Sequence, residues 1–321
     1  MGIVGIYANY LNSEHIAQIE NVIYKNNYQI RYFNDLQEVE QHIHECEIIY
    51  GYYPAYVLKK ATGLRWFASA SAGVDPFLKD EVWADPTAIL TNSAGSYGIT
   101  ISEHMLMAIL MLMRRQPEYD EVTRAREWKN IGAVRSICGS RITIVGTGDI
   151  GTSLARRVKA LGAAHILGVR RTLKPADPAF DEVTTLDKLA EAVADVDVIA
   201  LCVPGTPETA GLLSKEIIDG LNPKTYVVNV GRGSAIDQPA LVAALNEGRI
   251  AGAALDVMTP EPLPVDDPLY DAKNVILTPH ISGNMSLGLA CDINVDMFCE
   301  NLERYFKGQP LEHVVDRKIG Y

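Results

Sequence analysis

Three polar side chains of this 321-residue sequence each stand just past an apolar run: Arg232 in VVNVGRGSAID, Glu261 in ALDVMTPEPLP and His280 in ILTPHISG. Histidine is the side chain whose ordinary pKa lies near neutral pH, which suits it to give and take a proton. A carboxylate hydrogen-bonded to one ring nitrogen fixes how the imidazole points. A guanidinium can hold a carboxylate and can polarise a carbonyl as negative charge grows on its oxygen. Singly, each residue has an ordinary alternative as a surface charge, a solvated loop carboxylate or a structural histidine. At the ends of three successive strand-like runs they describe a proton donor, the group that orients it, and a cation for an anionic ligand.

Upstream lies VGTGDIG, in which Gly146, Gly148 and Gly151 follow the run RITIV and open the helical stretch TSLARRVKAL. Glycines at this spacing permit a tight turn, a close approach of backbone to a pyrophosphate, and close packing of helix on strand. The helix amino end adds N–H groups and partial positive charge. This motif predicts a bound dinucleotide. The reader of the adenosine ribose is expected about 20 residues on; nineteen residues past Gly151 stands Arg170, followed by Arg171, and no Asp or Glu occurs before Asp177. Guanidiniums suit a 2′-phosphate, whereas a carboxylate suits a free 2′-hydroxyl. The expected cofactor is therefore NADPH in preference to NADH, with NADH use possible.

These groups need a frame of strands. Short apolar runs (IVGIYA, QIRYF, EIIYG, RWFASA) alternate with polar helical stretches in the first hundred residues, which predicts βαβ units on a parallel sheet. A second series follows, with strand candidates at 141–146, 165–170, 196–204, 225–231, 251–257 and 274–280. Helical patterns over about 100–115 and 285–307 bracket that series, and the nine apolar residues MLMAILMLM at 105–113 suggest burial between domains or subunits. The predicted fold is α/β, with two doubly wound parallel-sheet domains: a Rossmann cofactor domain at 99–284 inserted into a flavodoxin-like substrate domain at 1–98 and 285–321.

Composition narrows the classes. Hydrophobic residues at 48% and charged residues at 21% fit a folded globular chain. A net charge of −11 disfavours nucleic acid as a partner. The longest apolar stretch is too short for a bilayer, so no membrane contact is expected. Five scattered cysteines and an amino end without a basic leader point to a reducing, cytoplasmic setting. No metal is expected, because His42, His44 and Cys46 in HIHEC have no second ligand cluster. Ser71, Ser93 and Ser234 lack the turn motif of a hydrolase nucleophile.

Over nearly its whole length the sequence resembles the D-isomer-specific 2-hydroxyacid dehydrogenases, which include glyoxylate, hydroxypyruvate and other 2-ketoacid reductases. The resemblance rests on SAGVD at 71–75, TN at 91–92, GTGDIG, LCVPGTPET at 201–209, NVGRG, LDVMTPEPLP, TPHISG and NLERYFKGQPLEHVVD, in that order. It implies a homodimer acting on a small 2-ketoacid or 2-hydroxyacid, with Arg232, Glu261 and His280 as the catalytic set. It also implies that backbone N–H groups around Ala72 and Gly73 hold the substrate carboxylate with Arg232, that Asp256 and His280 lie near the nicotinamide, and that Asp149, Ile150, Val203, Pro204, Val230, Gly231 and Gly283 complete the cofactor site. Tyr52, beside Tyr53 at a strand end, is a candidate for contact with the substrate side chain. Glu261 favours ketone chemistry over that of the related formate dehydrogenases, where a neutral Gln can serve. The paired arginines, Tyr270, Ser282 and Asn284 depart from the commoner pattern. A competing reading, from resemblance to the carboxyl-terminal binding protein corepressors, is a nucleotide-sensing binding protein.

Overall fold

The computed structural model describes residues 2–320. It divides into two compact units, one made of residues up to Tyr97 together with those from Met285, the other Gly98–Asn284.

In the first unit, β1 (Ile3–Tyr7), α1 (Ser13–Lys25), β2 (Gln29–Tyr32), α2 (Leu36–His42), β3 (Ile48–Gly51), β4 (Trp66–Ser69) and β5 (Ile89–Thr91) build an all-parallel sheet in the order β2-β1-β3-β4-β5. This is the flavodoxin-like order, with the strand direction of travel reversing between β1 and β3. Strands β3 and β4 are buried at every position, which is why they read as continuous apolar runs rather than alternating ones. One sheet face packs Val39, Ile43, Leu58, Phe67 and Leu90. The other packs Ile6, Ile19, Ile48 and Trp66 against Val295, Phe298 and Leu302. Those last three come from the carboxyl-terminal helix of the unit, Gly288–Phe306.

The second unit runs α3 (Gly98–Met113), α4 (Gln116–Arg124), β6 (Arg141–Val145), α5 (Asp149–Ala160), β7 (His165–Arg170), β8 (Glu182–Thr185), α6 (Leu189–Val193), β9 (Val198–Leu201), α7 (Lys215–Asp219), β10 (Tyr226–Asn229), α8 (Gln238–Asn246), β11 (Gly252–Leu255) and β12 (Val275–Leu277); the helix Gly288–Phe306 of the first unit is α9. Its seven strands are all parallel, in the order β12-β11-β10-β9-β6-β7-β8. This is the Rossmann arrangement, reversing at β6, with one strand more than the six expected. In α5 the buried residues Gly151, Leu154, Ala155 and Val158 fall on one face at helical spacing. The apolar helix α3 buries Met105, Ala108, Ile109, Leu112 and Met113. Its neighbours there are α5, β10 and β11 of the same unit, so its apolar character serves this unit's own core first.

Candidate active site

The glycine turn joins β6 to α5. Gly146 has φ +100, and a Cβ there would come within 2.7 Å of the Cys202 carbonyl oxygen. A Cβ on Gly151 would lie 1.9 Å from the Gly146 oxygen, so the helix reaches the turn only without a side chain. At Gly148, the N-cap of α5, a Cβ would project into open space. The backbone is thus bare where an anion can meet the helix amino end. Asp149 and Ile150 begin the helix. Burial raises the Asp149 pKa, against a hydrogen bond from the Gly98 backbone and the charge of Arg156. A Cβ on Gly98 would meet the Asp149 carboxylate at 2.2 Å, so that side chain is turned to the amino end of α3.

Arg170 ends β7, half-buried, with no ion-pair partner for its guanidinium among the described residues. Arg171 is exposed. The first acidic residue beyond them, Asp177, is already engaged by Arg156 at 2.5 Å and by the backbone N–H of Ala179 at 2.9 Å. The carboxyl ends of β9 and β10 meet at Val203 and Gly231, where a Cβ on the glycine would stand 2.5 Å from the Val203 oxygen. Val203 and Val230 are buried. The exposed Pro204 has its carbonyl tied by Thr209 Oγ1 at 2.6 Å.

Arg232 follows β10 on a turn pinned by the buried Asn229, whose Nδ2 donates to the Arg232 carbonyl (2.8 Å) and whose Oδ1 accepts from Gly231 N–H (3.0 Å). Nη1 of Arg232 donates to the Gly231 carbonyl at 2.7 Å. Glu261 and His280 form a pair: Glu261 Oε2 lies 2.8 Å from His280 Nδ1, and Oε1 accepts from Met258 N–H at 3.0 Å. Because a carboxylate accepts, Nδ1 carries the proton and Nε2 is the ring nitrogen left for a ligand. The His280 side chain is 51% exposed, so that nitrogen is reachable.

The loop that carries His280 is held by Asp256, which is 2% exposed. Its Oδ1 accepts from Thr278 Oγ1 (2.6 Å) and Ile281 N–H (2.9 Å), its Oδ2 from Ser282 N–H (2.9 Å), and its carbonyl from His280 N–H (2.9 Å). His104 Nε2 reaches Thr278 Oγ1 at 3.3 Å. Gly283 is half-buried just beyond this loop.

In the first unit, Ala72 and Gly73 lie in the loop after β4. The Ala72 carbonyl accepts from Asn92 Nδ2 at 3.0 Å, and the Ser71 carbonyl accepts from Ser93 N–H at 3.1 Å. Tyr52 follows β3 directly and is 36% exposed, whereas Tyr53 is 4% exposed and packs edge-on against Phe33 and Phe67. Of the two tyrosines only Tyr52 is open to a ligand. In HIHEC, His42 bonds Glu45 at 2.8 Å and Cys46 is buried.

The model of the D-isomer specific 2-hydroxyacid dehydrogenase NAD binding domain matches residues 106–282. A hydroxyphenylpyruvate reductase of Plectranthus scutellarioides is 34% identical over 69% of this chain and 69% of its own. The chain belongs to the D-isomer specific 2-hydroxyacid dehydrogenase family. It is thereby an NAD(P)-dependent oxidoreductase of 2-hydroxy acids. Two solved 2-hydroxyacid dehydrogenase structures share its fold over nearly its full length. One, from Aeromonas salmonicida, has a TM-score of 0.86 at 32% identity, covering 98% of this chain and 99% of the other. The second, from Xanthobacter autotrophicus in complex with NADPH and MES, has a TM-score of 0.82 at 25% identity, covering 100% and 99%.

Several groups that shape the dehydrogenase site escape a reading of the sequence. Asn229, Thr278 and His104 act through bonds to backbone or to other side chains, and each looks ordinary in its segment. For Asn229 and Thr278 the local signal is a polar residue closing an apolar run at a strand end, and His104, inside α3, has none.

Proposed function

We propose that this dehydrogenase works as an NADPH-preferring 2-ketoacid reductase, with His280 as proton donor to the ketone oxygen. The observation that carries the reading is the Glu261–His280 hydrogen bond of 2.8 Å, which leaves Nε2 of a half-exposed imidazole free for a ligand. The glycine turn fits a pyrophosphate, because the backbone at Gly148 is open while Gly146 and Gly151 allow the approach of Cys202 and of the turn itself. A bound nicotinamide would supply a hydride. Arg170 and Arg171 would hold the 2′-phosphate, a reading supported by the engagement of Asp177, the first acid beyond them in the chain, with Arg156 and by the NADPH of the Xanthobacter relative. Arg232 would pair with the substrate carboxylate and polarise the ketone. Glu261 would keep Nδ1 protonated and the ring oriented, so that the imidazolium gives its second ring proton from Nε2 to the ketone oxygen and returns to the Nδ1–H form. No helix among the described residues is long and apolar enough to cross a membrane, and all five cysteines are free, which suits the cytoplasm we assign.

The test is oxidation of NADPH and NADH side by side with glyoxylate, hydroxypyruvate, pyruvate and bulkier 2-ketoacids, with Arg170→Asp in parallel. We expect NADPH preference of at least about tenfold, which follows if the guanidinium bonds are worth more than about 1.4 kcal/mol, and its collapse in the variant. Equal use of both cofactors would refute the NADPH assignment. No turnover of any 2-ketoacid would refute the reductase, and cofactor-dependent capture of protein partners by such an inactive protein would restore the corepressor-like reading.

A further inference from the structure

The first unit carries a chain of phenols whose protons all point inward. Tyr97 hydroxyl donates to the Ala70 carbonyl at 2.6 Å. A carbonyl only accepts, so the single Tyr97 proton is committed. Tyr52 hydroxyl lies 2.9 Å from Tyr97 hydroxyl, and must therefore be the donor of that bond. The same logic holds one layer over. Asn294 turns Nδ2 to the Ala70 carbonyl (3.1 Å), which fixes its amide orientation and aims Oδ1 at Tyr50 hydroxyl (2.6 Å). Tyr50 has then used its proton, and Tyr10, 2.7 Å from Tyr50, donates in turn. Burial raises the pKa of Tyr10, Tyr50, Tyr52 and Tyr97, so all four keep their protons at neutral pH.

Tyr10 and Tyr52 follow the carboxyl ends of β1 and β3, between which the order of this sheet reverses. Ligands of open α/β sheets gather at such a switch point. The two rings meet edge to face there at 5.8 Å, and Tyr52 is the more exposed. We propose that the Tyr52 hydroxyl oxygen is a hydrogen-bond acceptor for the substrate side chain, selecting 2-ketoacids with an O–H or N–H donor beyond the ketone and disfavouring those with a second anion. Tyr97 is the positioning residue that takes the Tyr52 proton away. The inference rests on the reductase reading given above. It adds a polarity that the exposure of Tyr52 alone does not carry.

The test compares kcat/KM for hydroxypyruvate, pyruvate and oxaloacetate in the wild type, Tyr52→Phe and Tyr97→Phe. Ratios taken within one variant cancel any loss of folded enzyme. Removing a hydrogen bond between neutral groups costs about tenfold or less in specificity. The hydroxypyruvate-to-pyruvate ratio is expected to fall about five- to tenfold in Tyr52→Phe. Tyr97→Phe leaves the Tyr52 proton free to turn outward, so the oxaloacetate-to-pyruvate ratio is expected to rise about tenfold, the opposite of what general loosening would give. An unchanged hydroxypyruvate-to-pyruvate ratio in Tyr52→Phe overturns the proposal, as does a Tyr97→Phe that mimics Tyr52→Phe. Should Tyr97→Phe not fold, the Tyr52→Phe ratio decides alone. Wild type inactive on all three ketoacids would strike the reductase reading itself, a result distinguishable from active enzyme with unmoved ratios.

Discussion

His280 holds a left-handed backbone, φ +54, which a side-chain-bearing residue adopts only where its surroundings insist. Asp256 supplies that insistence through Thr278, Ile281, Ser282 and the His280 N–H itself. The two residues should therefore fail differently. His280→Ala is expected to lower kcat by about 10²- to 10⁴-fold, the usual worth of a positioned acid, while NADPH affinity stays within about twofold. Asp256→Asn turns an amide donor toward other donors, which costs about 1–3 kcal/mol and lowers Tm by several degrees along with kcat. Steady-state kinetics, fluorescence titration of NADPH and calorimetry on both variants would check this. Normal turnover by His280→Ala would remove it from the mechanism, and a native Tm for Asp256→Asn would refute the anchoring. The types and order of Arg232, Glu261 and His280 are legible in the sequence. The triple anchoring by Asp256 is not, because its partners lie 22 to 26 positions away and meet it only when β11 and β12 pair.

Buried strands are legible from their apolar runs, and the less buried β2 and β12 are also marked, by QIRYF and NVILTPH. The runs that form β1, β3, β4, β6, β9, β10 and β11 are buried at most positions and β7 at half of them, and each stands out in the sequence. β5 and β8 do not. β5 has three residues with Ile89 exposed, and β8 is a half-exposed EVTT at the sheet edge, without an apolar run to mark it. The β6–α5 turn is the reverse case, where glycine spacing alone conveys the geometry. Its least tolerant member is Gly151, since an alanine methyl would overlap the Gly146 carbonyl. Gly151→Ala should force helix from strand at a cost of about 1–3 kcal/mol, the usual range for overpacking, and should weaken NADPH binding. Gly148→Ala, whose methyl meets nothing, should leave Tm nearly unchanged. Thermal melts of the two variants decide between them, and equal melting temperatures would contradict this account of the turn.

At the scale of the whole molecule, the two-sheet design follows from the alternation of apolar and helical segments, and a net charge of −11 is in keeping with a small-molecule enzyme. Assembly is less legible, because α3 spends most of its apolar residues on its own unit. Met107 (46%) and Leu110 (38%) nevertheless remain exposed on that helix, and Trp128 is fully exposed in the segment after α4. Their exposure and the family resemblance lead us to expect a homodimer; light scattering should give twice the 35.2 kDa of one chain, and a mass of one chain would refute it.

The placement of α9 also bears on how the chain matures on the ribosome. The layer formed by Ile6, Ile19, Ile48 and Trp66 is covered by Val295, Phe298, Cys299 and Leu302 of α9, which are synthesised after all of Gly98–Asn284. At roughly 5–20 residues per second, the first strands wait on the order of 10 to 40 s for the helix that covers them. The inserted unit can meanwhile bury its own seven strands. The strands that precede the inserted unit are thus finished after it, and during that interval their apolar face stays uncovered by α9.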